Sequence, residues 1–398
     1  MSDLVVRAWN VGFGDAFLVS VPEAAPDGGE VTRHLLIDVG NLLAGDGNQD
    51  DVFAEVVAEV SALTGGTVDL YLLTHEHLDH AQGLLAAHRA GVPLAARHCW
   101  LTGSAHPDYY ETHAEAKKRR LEERLALEDA VRVLQVDPDA WLAAMVRNNT
   151  AALPAGALGL STADYVDHLR GIAPAEHTHY VDRTTELAGT HPFVEATLRV
   201  LAPEEDTSVY YGRPQPRPTL TAASAALPAE PLAGGSSGDV AGLPSVPPVG
   251  VDPGAFYDLQ ASRRRTTRNR VLEIDAANNN TSVVLELEWR GWRLLFPGDA
   301  EIRSWQTMRT LDLLRPAHFV KISHHGSHNG THDELLDVVL PPTTHDGRAR
   351  HALVSTHDGD WDSVPDEDAT LPRYAARCTV HDTREVDRGE ALELRFPG

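Results

Sequence analysis

The stretch VDLYLLTHEHLDHAQGLLAAH, residues 68–88, places three histidines and two acidic residues within six positions, directly after an apolar run. Residues Val68 to Thr74 are leucine-rich with β-branched and aromatic members, which predicts a buried parallel strand. The residues after His80 predict the beginning of a helix. The polar cluster therefore lies on a strand-to-helix loop at the carboxyl end of a strand, where open α/β sheets place their functional sites.

The spacing of these histidines predicts metal binding. The chain has 21 histidines, so some pairs fall together by chance, and a single histidine near a strand end is usually packed or solvated. In an extended segment, side chains at i and i+2 point the same way, so His75 and His77 can bind one ion together. Asp79 and His80 follow as the chain turns into the helix and can reach a second ion. Two ions about 3.5–4 Å apart suit hydrolysis, because they polarise a substrate and activate water.

Further segments of the sequence occur in the order found in a known family. The HxHxDH pattern, with RHLLIDVGN (33–41), WRLLFPGDA (292–300) and HFVKISHHGSHNG (318–330), resembles the metallo-β-lactamase superfamily of metal-dependent hydrolases. NVGFGDAFLV (10–19), NNNTSVVLELE (278–288), FPGDA and KISHHGS resemble more closely the hydrolase domain of ComEC/Rec2-type DNA-uptake proteins, which has free-standing soluble relatives. The resemblance covers residues 5–103, about 195–210 and 270–398. Asn10 replaces the usual first acid of the amino-terminal motif, whereas Asp15 is retained.

The resemblance implies an α/β fold, an αββα sandwich of the metallo-β-lactamase type with a helical insertion and a flexible Pro/Ala/Gly-rich loop. The core is expected in three segments, 1–104, 193–211 and 256–398. A mainly helical insertion at 105–192 is expected near the mouth of the site, where it can act as a cap. The low-complexity stretch 212–255 is expected to form a loop within the domain, because motifs resume after it.

The resemblance also implies roles for individual residues. Six residues are the expected metal ligands: His75, His77, Asp79, His80, Asp299 and His325. Asp299 is expected to bridge the two ions, and Asp38 to orient a histidine ligand. Asp79 and His324 are the expected catalytic residues; His324 faces the substrate, where it stabilises an oxyanion or protonates the leaving group. The reverse assignment of His324 and His325 stays open.

The first ion lacks an evident third protein ligand. Many members of the superfamily have a histidine after the strand that corresponds to TLRVLAPEED (197–206), and none is present here. Glu204 or Asp206 can take its place, or His177 or His179 can do so from the insertion. Alternatively, this ion is weakly bound.

The expected chemistry is hydrolysis by a metal-bound hydroxide with two divalent ions. Zinc is the expected metal because imidazole ligands dominate, and manganese is the alternative because several ligands are oxygens. The resemblance favours phosphodiester substrates, for a nuclease or a nucleotide phosphodiesterase. The alternatives are a hydrolase of a neutral lactone, β-lactam or thioester, and a catalytically weak binding module stabilised by metal.

The charge of the chain limits the substrates further. The formal net charge of −24 repels polyanions at long range, which favours short or single-stranded nucleic acid over long duplexes. Within this acidic chain, SRRRTTRNR (262–270) concentrates positive charge, and a solvated helix or loop surface is the alternative interpretation. Six residues are the expected substrate contacts: Arg263, Arg264, Arg265, Arg268, Arg270 and Ser327.

Composition predicts a cytoplasmic protein. Hydrophobic residues make up 42% of the chain, which is enough for an ordinary core. The sequence has no run of 18 apolar residues, so no membrane span is expected. The sequence MSDLVVRAWN lacks the basic and apolar regions of a signal peptide. Cys99 and Cys378 do not make a disulfide framework, which favours a reducing compartment. The sequence does not predict an oligomeric state.

Overall fold

The apolar run before THEHLDH forms an inner strand of a seven-stranded sheet. The computed structural model describes residues 2–25, 28–42, 51–136, 138–153, 161–211, 253–343, 346–357 and 364–398. The strands of the described residues are β1 (Leu4–Trp9), β2 (Ala16–Ala24), β3 (Glu30–Val39), β4 (Thr67–Leu73), β5 (Ala95–Thr102), β6 (Thr178–Val181), β7 (Thr197–Ala202), β8 (Val284–Trp289), β9 (Trp292–Phe296), β10 (Phe319–Lys321), β11 (His351–Val354), β12 (Thr379–Asp382) and β13 (Ala391–Phe396). They form one sheet in the order β13-β1-β2-β3-β4-β5-β6 and another in the order β12-β11-β10-β9-β8-β7.

Each sheet mixes parallel and antiparallel pairs. β3, β4, β5 and β6 are parallel neighbours, whereas β13, β1, β2 and β3 pair antiparallel. In the second sheet β9, β10, β11 and β12 are parallel neighbours. The parallel strands bring their carboxyl ends to a common edge of each sheet, and the loops that follow β4, β9 and β10 carry the predicted metal ligands.

The helices lie between these strands in the sequence. In the described residues they are α1 (Asp51–Thr64), α2 (Leu78–Ala81), α3 (Gly83–Arg89), α4 (Tyr109–Thr112), α5 (Ala114–Val136), α6 (Ala140–Asn148), α7 (Thr162–Arg170), α8 (Pro253–Asn279), α9 (Ile302–Thr310), α10 (Asp333–Val339) and α11 (Thr370–Ala375). No helix in the described part of the chain is long and apolar enough to cross a membrane.

Three apolar clusters define the layers of the fold. Phe17, Trp100 and Leu285 belong to a buried cluster drawn from both sheets, so the sheets pack against each other. A second cluster joins the outer face of the seven-stranded sheet to α1, α3 and α7, and includes Phe53. A third joins the other sheet to α9, α10 and α11, and includes Trp305. The prediction of an α/β sandwich with two central sheets is confirmed.

A hairpin near residue 290 joins two neighbouring strands of the second sheet. β8 and β9 pair antiparallel around Arg290 and Gly291, whose φ angles are 46° and 82°. Two consecutive positive φ angles are typical of a two-residue turn whose twist matches that of the flanking strands.

Two segments, 105–192 and 212–255, separate the predicted core motifs. Residues 105–192 contain α4 to α7, and they also contain β6, which joins the edge of the seven-stranded sheet. The predicted loop at 212–255 lies outside the described residues as far as residue 252, and α8 begins at Pro253. The arginine-rich run 262–270 therefore lies within α8, where no helix was predicted. α8 packs against α5 and α6 through residues such as Val271 and Leu142.

Candidate metal centre

The histidine loop leaves the seven-stranded sheet at the end of β4 and turns into α2. His75, His77, Asp79 and His80 are each at most 2% exposed. Asp299 follows β9 and His325 follows β10 on the second sheet, and both are buried. The two sheets thus bring all six predicted ligands to one buried region, although their roles as ligands stay a prediction.

Four of these residues form the tightest group: Asp79, His80, Asp299 and His325, whose potential ligand atoms all lie within 4.8 Å of one another. Oδ2 of Asp299 lies 3.3 Å from Nε2 of His80 and 3.1 Å from Nε2 of His325. Oδ2 of Asp79 lies 3.3 Å from the same His325 nitrogen. Ligand atoms that share a metal at about 2.0–2.2 Å are separated by similar distances. This group, called the His/Asp cluster below, can therefore bind a metal ion.

Three histidines of the site present an unpaired ring nitrogen. Nε2 has no hydrogen-bond partner among the described residues in His75, His80 and His325. The other ring nitrogen is anchored in each case. Nδ1 of His80 lies 2.8 Å from Asp38 Oδ2, Nδ1 of His325 lies 2.8 Å from the Ser355 carbonyl oxygen, and Nδ1 of His75 lies 3.1 Å from Thr74 Oγ1. Imidazoles with one anchored and one buried, unpaired nitrogen are the arrangement that metal ligands need.

The contacts of Asp38 match its predicted orienting role. Besides its contact with His80, its Oδ1 accepts a hydrogen bond of 2.8 Å from the backbone N–H of Thr74, and its Oδ2 accepts one of 2.7 Å from the hydroxyl of Thr74. The carboxylate thus ties the end of β4 to the ring of His80.

His77 is anchored through its opposite ring nitrogen. Its Nε2 lies 2.8 Å from Oδ1 of Asn149, and Nδ2 of Asn149 donates to Oδ1 of Asp275 at 2.8 Å. The neighbouring Asn148 accepts a hydrogen bond of 2.9 Å from the backbone N–H of Leu78. The inserted helices and α8 therefore orient the histidine loop, and Nδ1 is the ring nitrogen of His77 left for an ion.

Opposite charges set the protonation of the cluster. Burial disfavours the charged form of His325, but Asp299 and Asp79 outweigh it and raise its pKa to about 10. Burial also opposes ionisation of Asp299, but His325, Lys321 and His80 outweigh it, so its pKa lies well below the usual range. The pKa of His75 lies well below its ordinary value, first because of burial and then because of the nearby histidines. Neutral His75 is in the form that binds metal.

Lys321, which was not predicted, and Asp15, the retained acid of the amino-terminal motif, also lie at the site. Nζ of Lys321 is fully buried and lies 2.9 Å from Asp299 Oδ1 and 2.5 Å from Asp15 Oδ2. Asp15 also places an oxygen 3.7 Å from Nδ1 of His325. A lysine at the end of the apolar strand FVK was the available signal, because lysine is almost never fully buried unless it is paired. Asn10, in contrast, bonds within its own loop and to Val386.

The backbone around the centre is strained. Asp38, His324 and His325 have φ angles of 53°, 48° and 51°, a region that residues other than glycine rarely adopt and that is concentrated at functional sites. A Cβ atom at Gly40 would lie 2.2 Å from the carbonyl carbon of Asp79. Only glycine therefore lets the loop after β3 pack against the histidine loop.

His324 points away from the His/Asp cluster and borders a cavity of about 340 Å³. Its Nε2 lies 3.3 Å from Asn279 Nδ2, and its Nδ1 lies 3.4 Å from Glu301 Oε1. Ser327 also lines the cavity and contacts Nδ1 of His324 at 3.3 Å. Burial raises the pKa of Glu301 to about 8, helped by the charges of Asp275 and Asp299.

The walls of this cavity are partly apolar and partly acidic. Asp79 and Asp299 of the His/Asp cluster border it. Its large apolar lining residues include Phe13, Leu42, Trp141, Met145 and Leu272. None of the described lining residues is lysine or arginine. The cavity thus gives a small molecule access to the cluster without a basic side chain to attract it.

The predicted arginine contacts fall into two groups. The side chains of Arg263, Arg264 and Arg265 lie outside the described residues. Arg268 and Arg270 are exposed on α8. Arg268 pairs with Asp139, and its guanidinium carbon lies 5.2 Å from the ring centre of Trp141, which lines the cavity. Only Arg268 among the five is thus shown beside the cavity.

The candidates for the missing third ligand have other partners. Glu204 pairs with Arg183 at 2.6 Å, and Asp206 accepts a hydrogen bond from the backbone N–H of Ser208. The ring of His177 packs at 4.6 Å from that of His98, next to β6, which carries His179. None of the four belongs to a metal-binding group of the described residues.

No model of a known protein family matches this sequence, and no curated protein matches it either. The site itself carries the functional conclusion: a buried histidine and aspartate cluster, able to bind metal, opens to a cavity in an α/β sandwich.

Proposed function

We propose that this protein is a metal-dependent hydrolase that cleaves phosphodiesters, as a nuclease or nucleotide phosphodiesterase of the ComEC-like type. The observation that carries the proposal is the convergence of the buried Nε2 atoms of His80 and His325 on the carboxylates of Asp79 and Asp299. The motif resemblance supports the same assignment. Zinc is the favoured metal and manganese the alternative.

The proposed metal ligands fall into two sets. His80, His325, Asp79 and Asp299 would bind one ion, and His75 and His77 would bind another beside Asp299. When bound, such ions polarise the substrate and lower the pKa of water. Asp38, Ser355 and Asn149 orient the imidazoles, and the apolar wall of the cavity excludes water from the substrate.

A neutral ester is the second candidate substrate. The observation that favours it is the absence of lysine and arginine from the described lining of the cavity, together with the apolar side chains of Phe13, Trp141 and Leu272. A lactone, β-lactam or thioester fits such walls without a basic contact.

A substrate panel decides between the candidates. It contains bis-p-nitrophenyl phosphate, single- and double-stranded DNA, RNA, a cyclic dinucleotide and nitrocefin, each assayed with zinc and with manganese. Phosphodiester cleavage that weakens with salt supports the first candidate. Salt-independent turnover of nitrocefin or a lactone alone supports the second, and no turnover of any compound by metal-loaded protein contradicts both.

Protein purified without chelator is expected to carry about two transition-metal ions per chain, because the carboxylate of Asp299 is proposed to bridge two ions. Elemental analysis measures the content, and thermal unfolding measures the effect of adding zinc or manganese. The ions bind the folded state preferentially, so they should raise the melting temperature. A well-folded protein with no metal and no response to either ion would contradict the metal assignment.

The arginine-rich part of α8 is expected to bind phosphates of a longer substrate. Changing Arg263, Arg264, Arg265, Arg268 and Arg270 together to serine should raise KM for an oligonucleotide and flatten its salt dependence. Each lost phosphate contact should reduce the slope by roughly 0.7 for a single strand. Turnover of bis-p-nitrophenyl phosphate should hardly change, because this diester is too short to reach the helix surface.

The control for this variant changes Lys117 and Lys118 to serine, since both are exposed on α5. The control should leave the oligonucleotide KM unchanged. Equal losses on the oligonucleotide and the small diester would indicate damaged folding. An unchanged oligonucleotide KM would show that the arginines are an ordinary solvated surface, and it would favour a small substrate.

A further inference from the structure

A second group of potential ligands lies on the wall of the cavity beside the His/Asp cluster. One ligand atom from each of Asp275, Glu301 and His324 lies within 4.8 Å of the others. Asp275 comes from α8, Glu301 precedes α9, and His324 follows β10, so three separate parts of the chain converge here. Asp275 and Glu301 are 5% and 7% exposed.

These two buried carboxylates have no lysine or arginine partner among the described residues. Asp275 accepts hydrogen bonds from Asn149 at 2.8 Å and from Asn279 at 3.2 Å, and Glu301 accepts one from Asn279 at 3.0 Å. All these donors are neutral amides. A buried carboxyl group without a cationic partner either binds a metal or keeps its proton, because an uncompensated charge is costly to bury, and the raised pKa of Glu301 shows this cost in the absence of an ion.

The amide of Asn279 lies between the three residues and has an oxygen without a hydrogen-bond partner among the described residues. Asn279 is 1% exposed, and its Nδ2 lies 3.2 Å from Asp275 Oδ2, 3.0 Å from Glu301 Oε1 and 3.3 Å from His324 Nε2. Its two hydrogens face three acceptors. Its buried Oδ1 has no hydrogen-bond partner among the described residues. A half-turn of the amide would direct this oxygen at the three acceptors, which only a cation between them makes favourable.

We propose that Asp275, Glu301, His324 and the amide oxygen of Asn279 form an additional binding site for a divalent cation, distinct from the His/Asp cluster. Two carboxylates and an amide oxygen with one imidazole suit manganese or magnesium better than zinc. The site is weaker than the His/Asp cluster, because the Asn279 amino group already occupies the ligand atoms in the absence of the ion.

The position of this site gives the ion a role, which rests on the proposed function. The cavity wall carries the carboxyl groups of Asp275 and Glu301, which a bound cation would keep ionised, and its described lining has no basic side chain. A cation here offsets that charge and gives a phosphate group of the substrate an electrostatic contact. His324 then acts on the substrate through this ion rather than by donating a proton.

The experiment is a titration with Mn²⁺ of protein that already carries zinc, at 0.15 M salt, a concentration that largely screens distant surface charges. Electron paramagnetic resonance reports free Mn²⁺, and elemental analysis reports retained zinc. Wild-type protein is expected to bind about one extra Mn²⁺ while it keeps its zinc. Glu301→Gln and Asp275→Asn should weaken the binding of Mn²⁺ by at least about tenfold, as expected for the loss of a charged ligand.

The matched control is Glu273→Gln, which removes the same charge from an exposed position on α8. It should bind Mn²⁺ like the wild type. Equal Mn²⁺ binding by wild type and Glu301→Gln would overturn the inference. Loss of zinc from Glu301→Gln would also overturn it, because Glu301 would then belong to the first metal centre. Wild-type protein that binds neither zinc nor manganese at the His/Asp cluster would instead contradict the proposed function.

Discussion

Replacing Asp299 with asparagine is expected to remove most of the hydrolytic activity while leaving the chain folded. One oxygen of Asp299 lies within 3.3 Å of the free ring nitrogens of both His80 and His325. A neutral amide cannot balance the charge of bound ions, and the stabilisation they supply is worth several kcal/mol. Turnover of the best substrate should therefore fall by at least about 100-fold, measured in the presence of excess metal.

The fold should survive because Lys321 keeps a second carboxylate partner. Its ammonium lies 2.5 Å from Asp15, so the substitution does not leave a buried charge alone. The control is Asp69→Asn, which alters a buried carboxylate on β4 that pairs with Arg33 and lies outside the cluster. It should keep its metal and its turnover. Near wild-type activity of Asp299→Asn would contradict the bridging role.

The two adjacent histidines after β10 are expected to separate metal binding from turnover. His325→Ala should empty a metal position, because Nε2 of His325 lies 3.1 Å from Asp299 and 3.3 Å from Asp79. His324→Ala should keep the tightly bound ions, because its ring faces Asn279 and Glu301 at the cavity. Its turnover should still fall by about 100-fold or more, as is typical for the loss of a positioned acid–base or electrostatic group.

Elemental analysis of the purified variants and their turnover of the best substrate check this pair. His318→Ala is the control, because His318 is a buried histidine of the same segment with partners outside the cluster. It should retain both metal and turnover, with a lower melting temperature. If His324→Ala loses tightly bound metal and His325→Ala does not, the two roles are exchanged.

The sequence predicted the part of the site whose residues follow apolar strands. The loop after β4 carries four predicted ligands close together in sequence, and Asp299 directly follows the region of β9. Each strand and its ligands could therefore be recognised together. The sandwich of two sheets was implied by the resemblance of these motifs to a known family. These features depend on short stretches of sequence.

The remainder of the site depends on contacts between distant parts of the chain. Asn149 reaches His77 across 72 residues, and Asp275 reaches Asn149 across 126. Neither lies in a pattern with a local signal, since asparagines occur in many loops and α8 begins directly after the low-complexity stretch. Likewise, His324 and His325 are equivalent in sequence, and only the backbone turn at their positive φ angles directs one to the cluster and the other to the cavity.

The buried ammonium of Lys321 bears on the order in which the chain would fold and bind the proposed metal ions. Domains such as zinc fingers are unfolded until the ion arrives, because their ligands have no other partner. Here Asp15 and Asp299 already have a permanent positive partner supplied by the chain itself. Newly synthesised protein can therefore complete its fold first and load afterwards, and a chelator should strip it without unfolding it. The metal occupancy of the proposed centre would then follow the local metal concentration, while the fold would stay intact when metal is scarce.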